Sequence, residues 1–330
     1  MGAMALTMLI ALQIIAMRIA ARRRSARQHA MVQAWRPLLN AAVMGETAAQ
    51  LPPLAARDMM RFMVYWLQMQ QSVRGEAGRE LNTLARRVGC DALARRLLVQ
   101  GNRAERVVAT LVLGHLRETP AWPDLERAAA QPDSAASILA LWALAQIDPG
   151  ATAAALALPL LQRADWPLGQ LANILQSDRT AWEPALADAM ESVDQSRLAG
   201  ALRLVAAVRM ILPPPVLERM LGHSDTEVVI AALRLAVTPE STFLVRAHLS
   251  HADWRVRAQA ARALGPLGGR EDIAPLRAML ADREWWVRYR AAQALASLPF
   301  LRRDELTELA SGDRFASDIM RHVLAEQGAT

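Results

Sequence analysis

A five-residue stretch occurs twice in this chain, first as Asp253-Trp254-Arg255-Val256-Arg257 and again, 31 residues later, as Glu284-Trp285-Trp286-Val287-Arg288. The same shift matches Leu264 to Leu295, so the similarity extends beyond the quoted residues. A period between about 20 and 50 residues is typical of stacked units, because one such unit cannot bury its apolar face alone. The repeat therefore predicts a protein that presents a surface, without identifying the partner.

Candidate units start at intervals of 28 to 32 residues over most of the chain. Their first residues are Arg103, Asp133, Asp165, Asp194, Asp225, Asp253, Asp282 and Asp313. Within a unit, apolar residues recur at every fourth position, as in Val256, Ala260 and Leu264, which predicts a helix with one buried face. The Asp at its start is suited to cap orphan backbone N–H groups. A Gly/Pro break and a second helix complete the unit, and the last unit, which is short and polar, reads as a closing cap.

Two-helix units of this length resemble the short HEAT-like repeats first noted in phycobilin lyases. Segments 257–264 and 288–295 carry the resemblance, which is specific for roughly 225–300 and looser back to 103. It implies an all-α fold, a right-handed α-solenoid of two-helix repeats of about 30 residues. In that family the Arg reaches the Asp of a neighbouring unit. The resemblance therefore implies a structural ladder, and the residues of this ladder are Asp253, Arg257, Asp282 and Arg288.

The first residues of the chain differ in character from the repeats. Residues 3–17 carry no charge, and Arg18 can extend its side chain to a headgroup, so residues 1–21 are long enough to cross a bilayer as one helix. We predict that 1–21 is a transmembrane anchor that precedes the solenoid. A cleaved signal peptide and a soluble or interfacial helix are the alternatives, although a signal peptide carries its positive charge before the apolar stretch.

Arginines that follow this segment predict its orientation. They are Arg18, Arg22, Arg23, Arg24 and Arg27, and no basic side chain precedes the span. By the positive-inside rule, we expect a single-pass protein of the bacterial inner membrane, with the N-terminus outside and the repeat domain in the cytoplasm. The basic juxtamembrane segment 22–31 would then contact anionic lipid headgroups.

The remaining residues divide into two regions by their periodicity. Residues 32–102 are helical but off-period and are predicted to form an N-terminal helical cap, whereas 103–330 form the HEAT-like repeats with a C-terminal cap. Within the cap, the apolar stretch 54–73 is interrupted by polar residues. It reads as a buried helix, or as one lying against the bilayer or a membrane partner.

The charge balance argues against nucleic acid as a partner. All 38 basic residues are Arg. Five of them follow the apolar segment, and the other 33 are nearly balanced by 32 acidic residues. A nucleic-acid binder would be expected to carry a basic face beyond its anchor. A single cysteine, Cys90, cannot form an internal disulfide and requires no oxidising compartment.

Groupings that could perform chemistry are outweighed by simpler readings. His248, His251 and Asp253 have a spacing that could hold a metal, but the last two belong to an inter-unit turn, where polar residues are ordinary. Cys90 has no His partner near it in sequence. We predict no catalytic residue, no metal and no cofactor, and we do not expect a small-molecule ligand.

Tryptophans recur near helix starts, as in Trp254 and Trp285, which is typical of packing between adjacent units. Trp286 and Tyr289 have no aromatic counterpart in the preceding unit, and with Arg290 and Arg277 they are the predicted partner-binding residues.

These observations predict a non-catalytic scaffold or regulatory subunit. Its expected partner is an integral membrane protein or complex of the inner membrane, such as a machine for envelope polysaccharide synthesis or export. The alternatives are a HEAT-like enzyme of the lyase or DNA glycosylase type, and an adaptor that binds a nucleotide messenger through paired arginines such as Arg302-Arg303.

Overall fold

The computed structural model describes residues 29–46, 50–311 and 313–328, and this part of the chain is helical with no β-strand. It divides into two compact units, and the boundary between them lies between Pro149 and Gly150. The helices up to residue 147 are α1 (29–43), α2 (Met59–Gln70), α3 (Glu76–Val88), α4 (Cys90–Gln100), α5 (Arg103–Leu116), α6 (Trp122–Ala129) and α7 (Ser134–Ile147). Those that follow are α8 (Pro149–Gln162), α9 (Leu168–Ser177), α10 (Arg179–Ala189), α11 (Gln195–Ala207), α12 (Pro214–Leu221), α13 (Thr226–Leu233), α14 (Thr242–Arg246), α15 (Trp254–Leu267), α16 (Ile273–Ala278), α17 (Trp285–Ser297), α18 (Arg303–Leu309) and α19 (Arg314–Gly328).

The helices begin at or shortly after the predicted unit starts, but their N-terminal capping differs between repeats. Asp133, Asp225 and Asp253 accept hydrogen bonds from backbone N–H groups in the first turns of α7, α13 and α15. Asp194 precedes α11 without a capping side-chain bond, and α9 begins after Pro167. A capping box of Asn102 and Glu105 opens α5. The repeat period therefore predicts where a helix begins better than it predicts how the helix is capped.

The apolar positions of the repeats form the core of the second unit. The first helices of successive repeats pack against one another in the order α11, α13, α15, α17 and α19. Val256 and Leu264 of α15 are fully buried, as are the matching Val287 and Leu295 of α17. Small side chains between them, mainly Ala, allow adjacent helices to approach closely. This arrangement confirms an all-helical, repeat-like fold, while the right-handed sense of the solenoid stays a prediction.

The first unit buries the stretch that was predicted to be either a packed helix or a membrane-facing one. Phe62, Met63 and Trp66 of α2 are fully buried, and the ring of Trp35 in α1 meets Phe62 edge-on at 4.7 Å. The indole N–H of Trp66 donates to the carbonyl of Leu81 at 2.9 Å. These contacts account for Phe62 and Trp66 by packing within the unit.

Close helix packing in the same unit depends on a glycine. A Cβ atom at Gly114 would lie 2.6 Å from the Trp142 ring and 2.9 Å from the Ala143 Cα atom, so any larger residue would push α5 away from α7. The boundary between the two compact units, at 149/150, falls inside the predicted repeat region 103–330. The division into 32–102 and 103–330 stays a prediction.

The predicted localisation requires correction. Among the described residues, no helix has both the length and the apolar character needed to span a membrane. These helices reach at most 15 residues, as in α19, whereas a span needs about 20. The predicted anchor 1–21 and the juxtamembrane arginines, Arg18, Arg22, Arg23, Arg24 and Arg27, lie outside the described residues. The single-pass inner-membrane localisation is contradicted by this finding, and we do not retain it.

Candidate functional site

The predicted ladder contains one ion pair between neighbouring repeats. Arg257 of α15 donates from Nε to Oδ2 of Asp282 at 2.8 Å and from Nη2 to Oδ1 at 2.9 Å, and both side chains are nearly buried. Its Nη1 donates to the carbonyls of His251 and Ala252 in the preceding turn. The guanidinium therefore joins its own repeat to the next one.

Arg288, the matching residue one repeat later, makes only part of this arrangement. Its Nη1 donates to the carbonyls of Asp282 and Arg283 at 2.8 and 3.1 Å, as Arg257 does in its own turn. In place of a carboxylate of the next repeat, its guanidinium lies over the Phe315 ring, 5.5 Å from the centroid. Asp253 accepts hydrogen bonds from Arg255 rather than from an arginine of the preceding repeat. The ladder as a set of four residues stays a prediction.

Exposed aromatic side chains cluster at the start of α17 and α19. We call Trp285, Trp286, Tyr289 and Phe315 the aromatic cluster. The relative exposure of the two tryptophans is 43% and 51%, and that of Phe315 is 65%. Trp285 occupies the first position of α17 and is covered only in part, so its predicted role in packing between units stays a prediction. Exposed apolar groups that are contiguous mark interaction surfaces more often than scattered ones do.

The rings of the cluster contact one another in a defined order. Trp285 and Tyr289, one helical turn apart, are stacked with centroids 5.0 Å apart and planes 10° from parallel. Trp286 meets Trp285 edge-on at 4.7 Å. A groove of about 300 Å³ lies between α17 and α19, and its lining residues are Trp285, Arg288, Phe315, Asp318, Ile319 and His322. These contacts restrict ring rotation, so the surface is ordered before any partner binds.

Tyr289 also connects the cluster to a polar network. Its hydroxyl donates to Glu326 at 2.8 Å and accepts from the amide of Gln293 at 2.7 Å, and Arg290 donates to the Gln293 oxygen at 2.7 Å. The hydrogen bond to Glu326 raises the pKa of the Tyr289 phenol above its ordinary value, followed by burial and the charge of Glu326. The phenol therefore stays protonated as a donor over the neutral pH range.

The four predicted partner-binding residues are brought together only in part. Trp286, Tyr289 and Arg290 lie on α17, with the Arg290 guanidinium 5.7 Å from the Tyr289 ring. Arg277 lies on α16 and donates to the carbonyl of Leu309, at the end of α18. This hydrogen bond thus joins Arg277 to the second helix of the following repeat and not to the cluster. The partner-binding role of all four stays a prediction.

Two residues of this surface were not predicted from the sequence. Phe315 lies in the unit that reads as a polar closing cap, and His322 places its ring 6.1 Å from that of Tyr289. A usable signal exists for Phe315: it follows the capping residue Asp313 by two positions, as Trp286 follows Glu284. No signal pointed to His322, because its place beside the cluster arises from the packing of α19 against α17.

The groups considered for chemistry have structural roles. Burial raises the pKa of the Cys90 thiol to about 12, with a contribution from Asp91, which disfavours the nucleophilic thiolate. Both ring nitrogens of His248 contact backbone carbonyls, at 2.9 and 3.0 Å, and Nδ1 of His251 accepts from the backbone of Asp253. Within the described ranges, no cluster of His, Cys and carboxylate side chains is placed to bind a metal. The absence of a catalytic residue, metal or cofactor stays a prediction.

Comparisons with known proteins support the repeats and add no function. The sequence profile of HEAT repeats matches residues 213–296, which include α15 and most of α17. Two engineered proteins of known structure, determined in structural genomics work, are each 17% identical to this chain. One covers 90% of this chain and 95% of its own length with a TM-score of 0.36, and the other covers 73% and 97% with a TM-score of 0.25. No match is found among curated proteins. The chain thus contains HEAT-like repeats, and proteins with such repeats commonly mediate protein–protein interactions.

Proposed function

We propose that this protein is a non-catalytic scaffold in which the repeat region 103–330 presents the aromatic cluster to a partner protein. The observation that carries the proposal is the contiguous exposure of Trp285, Trp286 and Phe315 on two neighbouring helices. Trp, Tyr and Arg are the side chains most enriched among residues that dominate binding energy at protein interfaces. Arg288 and Arg290 lie beside these rings, so the composition of the surface fits that class of interface.

The geometry supports a protein partner better than a small ligand. The groove between α17 and α19, at about 300 Å³, is at the lower limit of ligand pockets, and its largest rings lie outward on the helix starts. The guanidinium of Arg288 already covers the face of the Phe315 ring, 5.5 Å from its centroid, which is the position that a small cation would take in an aromatic cage. An exposed, contiguous aromatic surface on two packed helices instead favours a complementary protein surface.

The more specific expectations are treated separately. An inner-membrane partner and a role in polysaccharide synthesis or export depend on the localisation that was corrected above, so they are not part of the proposal. A nucleotide messenger held by the predicted pair Arg302-Arg303 would need both of these guanidinium groups to be unoccupied. Arg302, however, is paired with Asp304, and Arg303 donates to the carbonyl of Leu324. No geometry among the described residues favours the lyase or glycosylase alternative.

Site-specific crosslinking in cells tests the proposal. A photoreactive phenylalanine analogue would replace Trp286 in one strain and Trp254 in another, and crosslinked proteins would be identified by mass spectrometry. Trp254 is a matched control, because it is 36% exposed at the start of α15. We expect a discrete crosslinked protein from position 286 that is absent or much weaker from position 254.

Substitution of the cluster gives the quantitative readout. With the captured protein purified, we expect Trp286→Ala to weaken binding by about tenfold or more, as truncation of an interface hot spot does. Trp254→Ala should leave binding unchanged. The proposal fails if the two positions give the same crosslinks, or if Trp286→Ala binds as tightly as the parent while remaining folded by circular dichroism.

A further inference from the structure

A second surface of the same unit contains a row of arginines. A groove of about 580 Å³ runs across α11, α13 and α15, and Arg203, Arg234 and Arg262 line it. The three positions are equivalent, because each lies nine residues after the Asp at which its repeat starts. Arg203 in α11, Arg234 directly after α13 and Arg262 in α15 are all exposed, so each of three successive repeats contributes one arginine to the groove. In the next repeat, Gln293 follows Glu284 by the same nine residues, so the row ends in a neutral polar group.

These arginines differ from their neighbours in having no acidic partner. Elsewhere in the unit, Arg246 pairs with Asp272, Arg255 with Glu227, and Arg257 with Asp282. Among the described residues, no ion pair or side-chain hydrogen bond involves the guanidinium of Arg203, Arg234 or Arg262, and the groove lining contains no carboxylate. Like charges held on adjacent helices repel one another. The row is therefore an uncompensated positive surface that an anionic partner would neutralise.

The remaining lining shows what kind of anion the groove accommodates. Between the arginines the floor contains one neutral polar side chain, Gln259, and otherwise small or apolar ones, which are Ala206, Ala207, Leu233, Ala236, Val237, Ala263, Pro266 and Leu267. Such a floor lets a polypeptide approach closely and bury its own apolar atoms. The lining contains no aromatic side chain, whereas sites for single-stranded nucleic acid use aromatic rings to stack the bases.

We propose that this arginine groove binds an acidic polypeptide segment of a partner protein, at a site separate from the aromatic cluster. Packed helices lie about 8–10 Å apart, so the three guanidinium groups span about 20 Å. A chain in the polyproline II conformation advances about 3.1 Å per residue with three residues per turn, so carboxylates at every third residue lie on one face and match the row. Each Arg can hold a carboxylate by two parallel hydrogen bonds.

A neighbouring groove extends this surface toward the next repeat. Arg262 and Pro266 also line a groove of about 400 Å³ that includes Arg290, Gln293 and Glu326. The negative charge of Glu326 lies in this lining, so the uncompensated positive charge decreases in this direction. The acidic segment is accordingly placed over α11, α13 and α15.

Fluorescence anisotropy with a labelled peptide of ten glutamates tests the proposal on the full-length protein. The peptide is long enough to cover the row, at about 33 Å when extended. We expect saturable binding that weakens as salt is added, and no binding of a ten-glutamine peptide. The triple variant R203Q/R234Q/R262Q should bind the glutamate peptide about tenfold or more weakly, because it lacks three charge-assisted contacts.

A matched control removes the same charge elsewhere. The variant R74Q/R96Q/R283Q replaces three exposed arginines outside the groove and should bind the peptide like the parent. Equal loss in both triple variants would indicate a net-charge effect and overturn the proposal, as would no binding of the glutamate peptide by the parent. If a labelled oligothymidylate bound more tightly through the same arginines, the ligand of the groove would be a nucleic acid and the proposal of an acidic polypeptide would be overturned. The variant Trp286→Ala should leave peptide binding unchanged, so this test does not depend on the aromatic cluster.

Discussion

Helices α15 and α17 are two copies of one sequence pattern that have the same core and different surfaces. Val256 and Leu264 in α15 and their counterparts Val287 and Leu295 in α17 are all fully buried. The second position of the helix holds Arg255 in one copy, paired with Glu227, and the exposed Trp286 in the other. The difference teaches that packing preserves the buried positions of a repeat, whereas its outward positions are free to acquire a binding function.

The arginine at the fourth position of each helix keeps some of its contacts in both copies and differs in the others. Arg257 and Arg288 both donate from Nη1 to two carbonyls of the turn before their helix. Only Arg257 continues to a carboxylate, that of Asp282 in the next repeat. Arg288 instead lies over Phe315 and takes part in the lining of the aromatic groove. The turn bonds are thus common to both copies, and the inter-repeat ion pair belongs to one.

Among the variants that test this comparison, the one without Arg257 should lose the most stability. Arg257→Met leaves the nearly buried Asp282 without its partner, and we expect the free energy of unfolding to fall by about 2–3 kcal/mol. The measurement is a urea titration followed by circular dichroism. The control is Arg255→Met, which removes an exposed pair and should cost about 0.5 kcal/mol. Equal losses in the two variants would mean that the inter-repeat ion pair contributes no more to the free energy of unfolding than an exposed ion pair does.

The same substitution in the second copy should have a smaller effect. Arg288→Met removes hydrogen bonds to carbonyls that water can reach and leaves no carboxylate unpaired, so we expect a loss of about 1 kcal/mol. The urea titration again provides the measurement. A loss as large as that of Arg257→Met would show that the turn bonds, which the two copies share, provide the stabilisation, and the contrast between the copies would then disappear.

The pH dependence of stability tests the ion pair that only the first copy makes, and of the three predictions it has the smallest expected effect. Burial opposes ionisation of Asp282, but the hydrogen bonds from Arg257 and from the backbone of Glu284 outweigh it, and the pKa is lowered from its ordinary value of 3.8. The unfolded chain therefore binds a proton at higher pH than the folded chain does. The resulting stabilisation is fully present above the unfolded pKa and is lost as the pH falls through the folded one.

Unfolding titrations of the parent and of Asp282→Asn at several pH values would measure this contribution. We expect the difference between the two proteins to be constant at neutral pH and to shrink below about pH 4. Asn keeps an oxygen that can accept the hydrogen bond from Glu284, but its NH2 group cannot accept from Arg257, so the variant loses the charge and one of the two hydrogen bonds from Arg257. A difference that does not vary with pH would show that Asp282 is not stabilised by ionisation in the folded state.

Much of the fold could be read from spacing and composition. The four-residue recurrence of Val256, Ala260 and Leu264 predicted a helix with one buried face, and these residues are fully buried in α15. The Asp at unit starts predicted caps correctly at Asp133, Asp225 and Asp253, but not at Asp194. Capping depends on the backbone angles of the residues before the helix, which the residue type alone does not determine.

Less of the candidate surface could be predicted. Trp286 and Tyr289 were recognisable because the preceding copy lacks aromatic residues at these positions, whereas Phe315 and His322 join them only through the packing of α19 on α17. The arginine row was equally hidden. Arg203, Arg234 and Arg262 are three among 38 arginines, and only the placement of the carboxylates distinguishes those that are paired from those that are not.

The sequence by itself determined the repeat, its helical period and the buried face of each unit, because burial of apolar side chains at a fixed spacing depends only on local periodicity. Tertiary structure decided which exposed groups meet. The contact of Arg288 with the Phe315 ring, the inter-repeat ion pair of Arg257 with Asp282 and the uncompensated arginine groove each join residues of different repeats. Their charges and surfaces interact over a few ångströms of space, and sequence separation does not report that distance.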